Sequence, residues 1–374
     1  MKLAKKIRLF PTDEQAKKFF LFAGAARWAW NESLAFRKGR YEKDHLNTTV
    51  QDCQKHIQDL KHNHDEYAWL NTVPEAITKR SVRDLDRAYK GAFKSDKGFP
   101  RFKKKDRCKV SFYQRTDAFH QTDPSHVKIT GIKAYVKIRS IQIPDHVTNI
   151  TVSYDGKYWY LSYSYEVKEE ETGNSDETIG VDLGVKNLAV VSDGRVYGNI
   201  NRTKEVRRLE RRKKHLQRQL SRKYEMNKTG TSFHKTSNIR KLEQKVRLIN
   251  RRLKNIRNTY IHKVTKDLVR TKPGKIVIED LNVKGMMKNR HLSKAIADEE
   301  FWKFRQYLTY KCELYGITLV MAERMYPSSK MCSCCKHIKK DLKLKEREYK
   351  CPACGMIMDR ELNASINLMQ YGCI

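Results

Sequence analysis

The sequence predicts a multidomain α+β protein. A helical region and a strand-rich, barrel-like wedge come first. An α/β domain follows, carrying an inserted helical hairpin and a small cysteine ribbon. Three observations lead there. Up to about residue 95, apolar residues recur at helical steps. From "KVSFYQR" (109–115) the period falls to two, as in half-buried strands. After residue 178, short apolar runs alternate with helical stretches, the pattern of a sheet covered by helices. The 374 residues suffice for two or three domains with real cores.

Composition narrows the function. Lys and Arg number 78 against 43 Asp and Glu, a net charge of +35. Such a charge opposes compaction and attracts polyanions. Solubility alone rarely needs it, so nucleic acid is the expected partner. An anionic membrane fits less well, since no apolar stretch approaches the roughly 20 residues of a span. The start, "MKLAKKIRLFPTDEQ", has lysines, but its apolar run stops at once and does not read as a secretion signal. Nine cysteines, an odd number crowded between 332 and 354, do not make a disulfide framework. They imply a reducing, intracellular setting. Cys53, Cys108, Cys312 and Cys373 stand apart and read as ordinary core or surface residues.

In chain order, "KKIRLF" reads as a strand. "PTDEQAKKFF" opens a helix, with Thr12 and Gln15 as a capping box. Ala16, Phe19, Phe20, Ala23, Trp30 and Leu34 mark its apolar stripe. Further helix is expected at 48–62 and after Pro74, where Val82, Leu85 and Tyr89 share a face. Strands follow at "KVSFYQR", "HVKIT", "AYVKIR" and "NITVSYDGKYWYLSYSYEV", the last a hairpin turning on Asp155-Gly156, two residues that tolerate positive φ. Trp159, Leu161, Tyr163 and Tyr165 share one strand face. A buried sheet face is preferred over a base-stacking platform. The acidic stretch 168–178 is the best domain boundary. "ETIGVDLGVKNLAVVSDG" (177–194) then gives two strands and a tight turn. Helices over 203–224 and 239–269 form an antiparallel hairpin. Ile239, Leu242, Val246, Ile249, Leu253, Ile256 and Tyr260 form its seam, facing Val206, Leu209, Leu216 and Leu220, with Lys213 breaking the rhythm. The seam is packing, and the outer Lys and Arg are expected to touch phosphate. "KIVIE" is a buried strand ending in Glu279, 295–316 a helix and "GITLVMAE" a strand.

Two sites emerge. Cys332, Cys335, Cys351 and Cys354 form two C-x2-C knuckles around a fifteen-residue spacer. Two thiolates of one knuckle can reach a single ion at roughly 2.3 Å, and four complete a tetrahedron with no open position. This predicts structural zinc, with Cys334 as a spare thiol. The second site is acidic. Ile179, Val181 and Leu183 point to one face of their strand, and Gly180, Asp182 and Gly184 to the other. The glycines are expected to clear space around the carboxylate and let backbone approach a ligand. A lone buried carboxylate costs several kcal/mol, so a positive group must compensate it. A salt bridge is the ordinary explanation. Glu279 also ends an apolar strand. In "GMIMDRELNASINL", Asp359 shares a helical face with Asn363 and Asn367 and is preferred as the third acid, with Glu361 in competition. Three acids on three core elements suit divalent Mg²⁺. Two such ions can activate water and stabilise the leaving oxygen of a phosphodiester.

"RLFPTDEQ", "GVDLGVKNLAV", "IVIEDLNVKGM", "YPSSKMCSCC" and "CPACGMIMDRELNASINL" resemble, in order and over nearly the whole chain, the TnpB proteins of small insertion sequences, also called OrfB transposase-like proteins. That family is related to type V CRISPR effector nucleases. Lys336 stands where glycine is usual, and Glu361 where Asp is frequent. The resemblance implies a RuvC-like, RNase H-fold active site at Asp182, Glu279 and Asp359, with two catalytic Mg²⁺ ions and one structural Zn²⁺ on the four cysteines. It implies an RNA-guided DNA endonuclease, with a guide RNA from the element's own end, double-stranded target DNA, one copy of the chain in the complex and no membrane partner. Its setting would be the prokaryotic cytoplasm, at the nucleoid. The implied domains are a wedge-like β domain (1–10 and 96–170), a helical recognition region (11–95), a nuclease domain (178–326 and 357–374) with the hairpin 203–269, and a zinc-ribbon insert (327–356). Pairing with the guide would supply most sequence specificity, and binding would weaken with salt. Three rivals remain: a guided DNA-binding regulator without cleavage, a strand-transferring transposase, and a basic zinc-ribbon RNA-binding protein.

Overall fold

The computed structural model describes residues 1–94, 98–105, 107–168, 173–230, 232–343 and 346–373. The expected boundaries near 95 and at 168–178 fall partly on 95–97 and 169–172, outside the described residues. The chain forms two compact units, Lys2–Val167 and Lys168–Ile374, with Met1 grouped with the second.

In the first unit, strand β1 (Lys2–Phe10) runs into helix α1 (Asp13–Asp44). The capping box is formed: Thr12 Oγ1 accepts from the Gln15 N–H, and Gln15 Oε1 accepts from the Thr12 N–H at 3.0 Å. Helix α2 (Val50–Asn63) starts on a second box, Thr49 with Asp52, and α3 (Glu75–Lys94) follows Pro74. Phe19 and Phe22 of α1 enter the sheet core, Ala29 packs on Cys53, Ile57 and Val82, and Trp30 and Leu34 pack on Leu85. Phe20, expected in the buried stripe, is 46% exposed and meets Tyr154 and Trp159 edge-on.

Strands β2 (Val110–Tyr113), β3 (His120–Asp123), β4 (His126–Lys128), β5 (Val136–Ile138), β6 (Val147–Tyr154) and β7 (Trp159–Glu166) join β1 in an antiparallel sheet of order β2-β6-β7-β1-β5-β4-β3. Trp159, Leu161 and Tyr163 are buried in its core, as preferred from sequence. The 155–156 turn belongs to a four-residue loop. Gly156 takes φ +96°, while Asp155 instead accepts from the Lys157 and Tyr158 N–H groups. The buried Gln114 amide accepts from the N–H and donates to the hydroxyl of Thr130, at 2.9 and 2.7 Å, linking the residue after β2 to the segment after β4.

The second unit starts with β8 (Thr178–Leu183), β9 (Asn187–Val191) and β10 (Val196–Gly198). Helix α4 (Lys204–Met226), a minimal hairpin β11 (Lys228–Thr229) and β12 (Ser232–Phe233), and helix α5 (Ser237–Arg270) follow. Val206, Leu209 and Leu216 pack on Leu242, Ile249 and Leu253, and Lys213 pairs with Glu210 at 2.9 Å. Farther along α5, Ile261, Val264 and Leu268 leave the hairpin and join the sheet core. Strand β13 (Lys275–Glu279), short helices α6 (Val283–Met286) and α7 (Ser293–Glu299), helix α8 (Phe301–Leu314) and β14 (Thr318–Ala322) come next. The single helix expected over 295–316 breaks at Glu300, where φ is +52°. Strands β15 (Glu348–Lys350) and β16 (Ile357–Asp359) belong to the cysteine ribbon, and α9 (Arg360–Tyr371) follows.

The main sheet runs β10-β9-β8-β13-β14. Its first three strands are antiparallel, and β13 is parallel to both β8 and β14. This is RNase H-type topology. Ile179, Val181, Ile276 and Ile278 feed the core under α5 and α8, while Leu368 of α9 packs with Val277 and Ala322 in a separate cluster. Among the described residues, no helix is long and apolar enough to cross a membrane.

Candidate active site and metal centre

Two acids meet through strand register. Val181 of β8 pairs in parallel with Ile278 of β13. The next residues, Asp182 and Glu279, therefore sit side by side at the carboxyl ends of the strands and on one face. Asp182 keeps part of its surface open. Burial, then the charges of Glu279 and Glu361, push its carboxyl well above the usual range, against the pull of Arg360. Burial also raises Glu279, opposed by a hydrogen bond from the Ser328 hydroxyl and by Arg360.

The glycines serve a purpose other than the one expected. A Cβ on Gly180 would lie 1.9 Å from Ser365 O and 2.4 Å from Met369 N. Gly180 therefore admits the backbone of α9, not a ligand. A Cβ on Gly184 would lie 3.1 Å from Asn187 O and 3.7 Å from Glu361 Oε1. The close seat of α9 brings its first turn, and Glu361 with it, to the end of β8.

Asp359 and Glu361, the two candidates for the third acid, lie in different surroundings. Asp359 is exposed and serves as the N-cap of α9, its Oδ1 accepting from the Glu361 and Leu362 N–H groups at 2.9 and 3.1 Å. The asparagines that recommended its face are buried anchors of the ribbon. Asn363 accepts from Ser333 N–H (3.0 Å) and donates to Met331 O (2.7 Å). Asn367 donates to Ser328 O (2.9 Å) and Met331 O (2.6 Å). Glu361 is only 12% exposed, receives Asn187 Nδ2 at 2.7 Å, and acts on Asp182 more strongly than Asp359 does. Its salt bridge to Arg347 is loose, at 3.7 Å, and Arg347 is 55% exposed. Arg360 donates to the Lys343 and Glu346 carbonyls at 3.1 and 3.5 Å. Sequence reasoning missed Asn187 and Ser328. Neither carries a periodic signal, because each acts by orienting a carboxylate from another element.

Among the described residues, one group of at least three His, Cys, Asp or Glu side chains is gathered tightly enough to hold a metal ion: Cys332, Cys335, Cys351 and Cys354, with sulfurs all within 4.8 Å. Cys332 and Cys354 lie 3.6 Å apart, and Cys335 and Cys351 3.5 Å. A tetrahedron with metal–sulfur arms of about 2.3 Å has edges of about 3.8 Å, so the set fits a metal site. The Cys351 thiol is pulled down to about 6, led by the Cys354 N–H. Cys334 is exposed and outside the set. The carboxylates are not gathered so tightly.

Three family models match along the chain. The helix-turn-helix domain of OrfB proteins of IS605-type elements matches residues 1–45, the main OrfB model, described as "Probable transposase", matches 162–290, and "Cas12f1-like, TNB domain" matches 301–368. A Streptomyces pristinaespiralis protein named "Putative RNA-guided DNA endonuclease" is 29% identical over 376 residues, covering 100% of this chain and 90% of its own. An Escherichia coli K12 protein named "Putative RNA-guided DNA endonuclease InsQ" is 29% identical over 384 residues, covering 98% and 91%. The chain belongs to the TnpB/OrfB family. In this TnpB/OrfB chain, the main OrfB model contains Asp182 and Glu279, and the TNB model contains the cysteines, Asp359 and Glu361. The helix-turn-helix description does not suit residues 1–45, which hold one strand and one unbroken helix. The protein in "Cryo-EM structure of the Cas12f1-sgRNA-target DNA complex" shares the fold, with a TM-score of 0.60 at 15% identity over 96% of this chain and 83% of that one.

Proposed function

We propose that this chain is an RNA-guided DNA endonuclease of a transposable element, cutting target DNA beside a short flanking motif, with Asp182, Glu279 and Glu361 as its metal-binding acids. One observation carries the reading. Strand register sets Asp182 beside Glu279, the seat of α9 brings Glu361 to the end of β8, and burial, followed by the charges of Glu279 and Glu361, drives Asp182 toward its protonated form. Such a cluster is costly alone and suits a divalent cation. Mg²⁺, bound as a pair, would activate water and stabilise the leaving oxygen. The protein's part is orientation. Ser328 fixes the Glu279 carboxylate, Asn187 fixes Glu361, and the close seat of α9 sets the distance between Glu361 and Asp182. Zn²⁺ on the four cysteines would be structural, because all four positions are filled by protein.

Guide RNA and double-stranded target DNA are the partners that this reading assigns, in keeping with the printed names of the relatives. The +35 charge suits them. The helical and strand-rich regions of residues 2–167 would read the flanking motif, and the ribbon would lie on nucleic acid. Its setting would be the cytoplasm. The test is to purify the protein, sequence the RNA that accompanies it, and incubate the complex with a plasmid holding the matching target and a randomised flank. Mg²⁺-dependent linear product that Asp182→Ala abolishes supports the proposal. Binding without cutting makes it a regulator, and joined ends make it a transposase.

A further inference from the structure

A pocket of about 360 Å³ opens beside Glu279, lined by Leu183, Asn282, Trp302, Arg305 and Arg324 among others. The volume lies in the range of ligand sites. Trp302, on the first turn of α8, is 65% exposed, while the other four tryptophans are buried or half-buried. Among the described residues, no aromatic ring or cation packs against it. An indole face left open beside a catalytic carboxylate is a ready stacking surface.

Two cations of the same pocket share one carboxylate. Asp280, the residue after Glu279, takes Arg305 on Oδ1 at 3.0 Å and Arg324 on Oδ2 at 2.6 Å. One carboxylate thus holds two guanidiniums, each at least half exposed, with a net charge of +1 at the pocket mouth. Planar guanidinium forks match phosphate oxygens. A purely structural tie would need only one arginine, and it gives no reason for the bare indole.

We propose that this pocket is a nucleotide subsite for the DNA strand being cut: the base of a nucleotide flanking the scissile phosphate stacks on Trp302, and its own phosphate lies against Arg305 and Arg324. The inference rests on the nuclease reading above. It adds a reason for the strand to enter the site in one register, because a stacked base fixes which phosphate reaches Asp182 and Glu279.

The test uses the full protein with its guide RNA and single-turnover cleavage of targets carrying one abasic position, moved stepwise across the cut. Trp302→Ala slows cleavage of intact target about 5- to 150-fold, the range expected for one lost base stack. Trp302→Phe restores most of the rate. One abasic position reproduces the loss in the parent protein and adds nothing in Trp302→Ala. A single-stranded oligonucleotide with 2-aminopurine at that position is quenched by the parent and not by Trp302→Ala. Arg305→Ala lowers the salt dependence of its binding by about one unit of slope. Parent-like cleavage and quenching by Trp302→Ala overturn the subsite, as does an abasic effect equally large in both proteins. If the parent does not cut while the Trp302-dependent quenching persists, the nuclease reading fails and the subsite stands.

Discussion

Replacing Gly180 by alanine perturbs the packing on which the acid cluster depends. The new Cβ would meet Ser365 O at 1.9 Å and Met369 N at 2.4 Å, whereas real Cβ contacts stay above 3.0 Å. Both obstacles are backbone, so no rotamer change relieves them. Helix α9 has to retreat by about 1 Å at its middle, or β8 has to bend. Overpacking of this kind costs about 3 kcal/mol, which lowers Tm by about 6–12 °C for a unit of this size. The retreat also carries Glu361 away from Asp182, and a 1 Å misplacement in an active site can cost about 100-fold in rate. Differential scanning fluorimetry and single-turnover cleavage measure the two losses. Gly24→Ala is the control: it lies in α1 with nothing within 4 Å of a new Cβ, and a helical Gly-to-Ala change stabilises by about 0.5–1 kcal/mol. A Gly180→Ala protein that melts and cuts like the parent would refute the packing argument and the placement of α9 with it.

Glu361→Gln should reduce cleavage at least about 1,000-fold with little change in Tm, whereas Asp359→Ala should cost about 1 kcal/mol of stability through the lost cap and keep cleavage within a few-fold; the reverse order of rates would restore Asp359 as the third ligand. Glu299 is 3% exposed, and burial, led over its hydrogen bond from Asn201, raises its carboxyl to about 7. A raised folded-state value means that the folded state binds the extra proton. Stability therefore falls as pH rises from the unfolded carboxyl value, about 4.3, to about 7, and on the order of 3 kcal/mol is at stake. Glu299→Gln should flatten Tm against pH over that window and raise Tm at pH 8, as thermal melts across pH will show. Metal analysis should find one zinc per chain, lost in Cys351→Ser, and chelation should open the ribbon to trypsin at its lysines while the main sheet keeps its far-UV circular dichroism.

Much of the fold was legible because local rules and tertiary packing agree. The Thr12–Gln15 box, the strand ending at Glu279 and the Leu/Ile seam of the hairpin all came from short-range patterns that the core then used. Strand β3 escaped because "HQTD" has no apolar alternation and is held by an edge pairing with β4. The break at Glu300 escaped because a non-glycine residue at positive φ leaves no compositional mark. At the site, the cysteine spacing is a local pattern, and those four sulfurs are gathered together. The role of the asparagine period beside Asp359 could not be read, because it belongs to the ribbon anchor, and spacing cannot tell an anchor from a ligand. Gly180 misled for a similar reason: a missing side chain shows that something comes close, not what it is.

Helix α9 concentrates tasks that most folds spread over distant segments. It covers β8, supplies Glu361 and, through Asn363 and Asn367, moors the root of the cysteine ribbon. A nonsense codon at position 360 would remove α9 and so strip β8 of its cover, Asp182 of its neighbour Glu361 and the ribbon of its mooring, all at once.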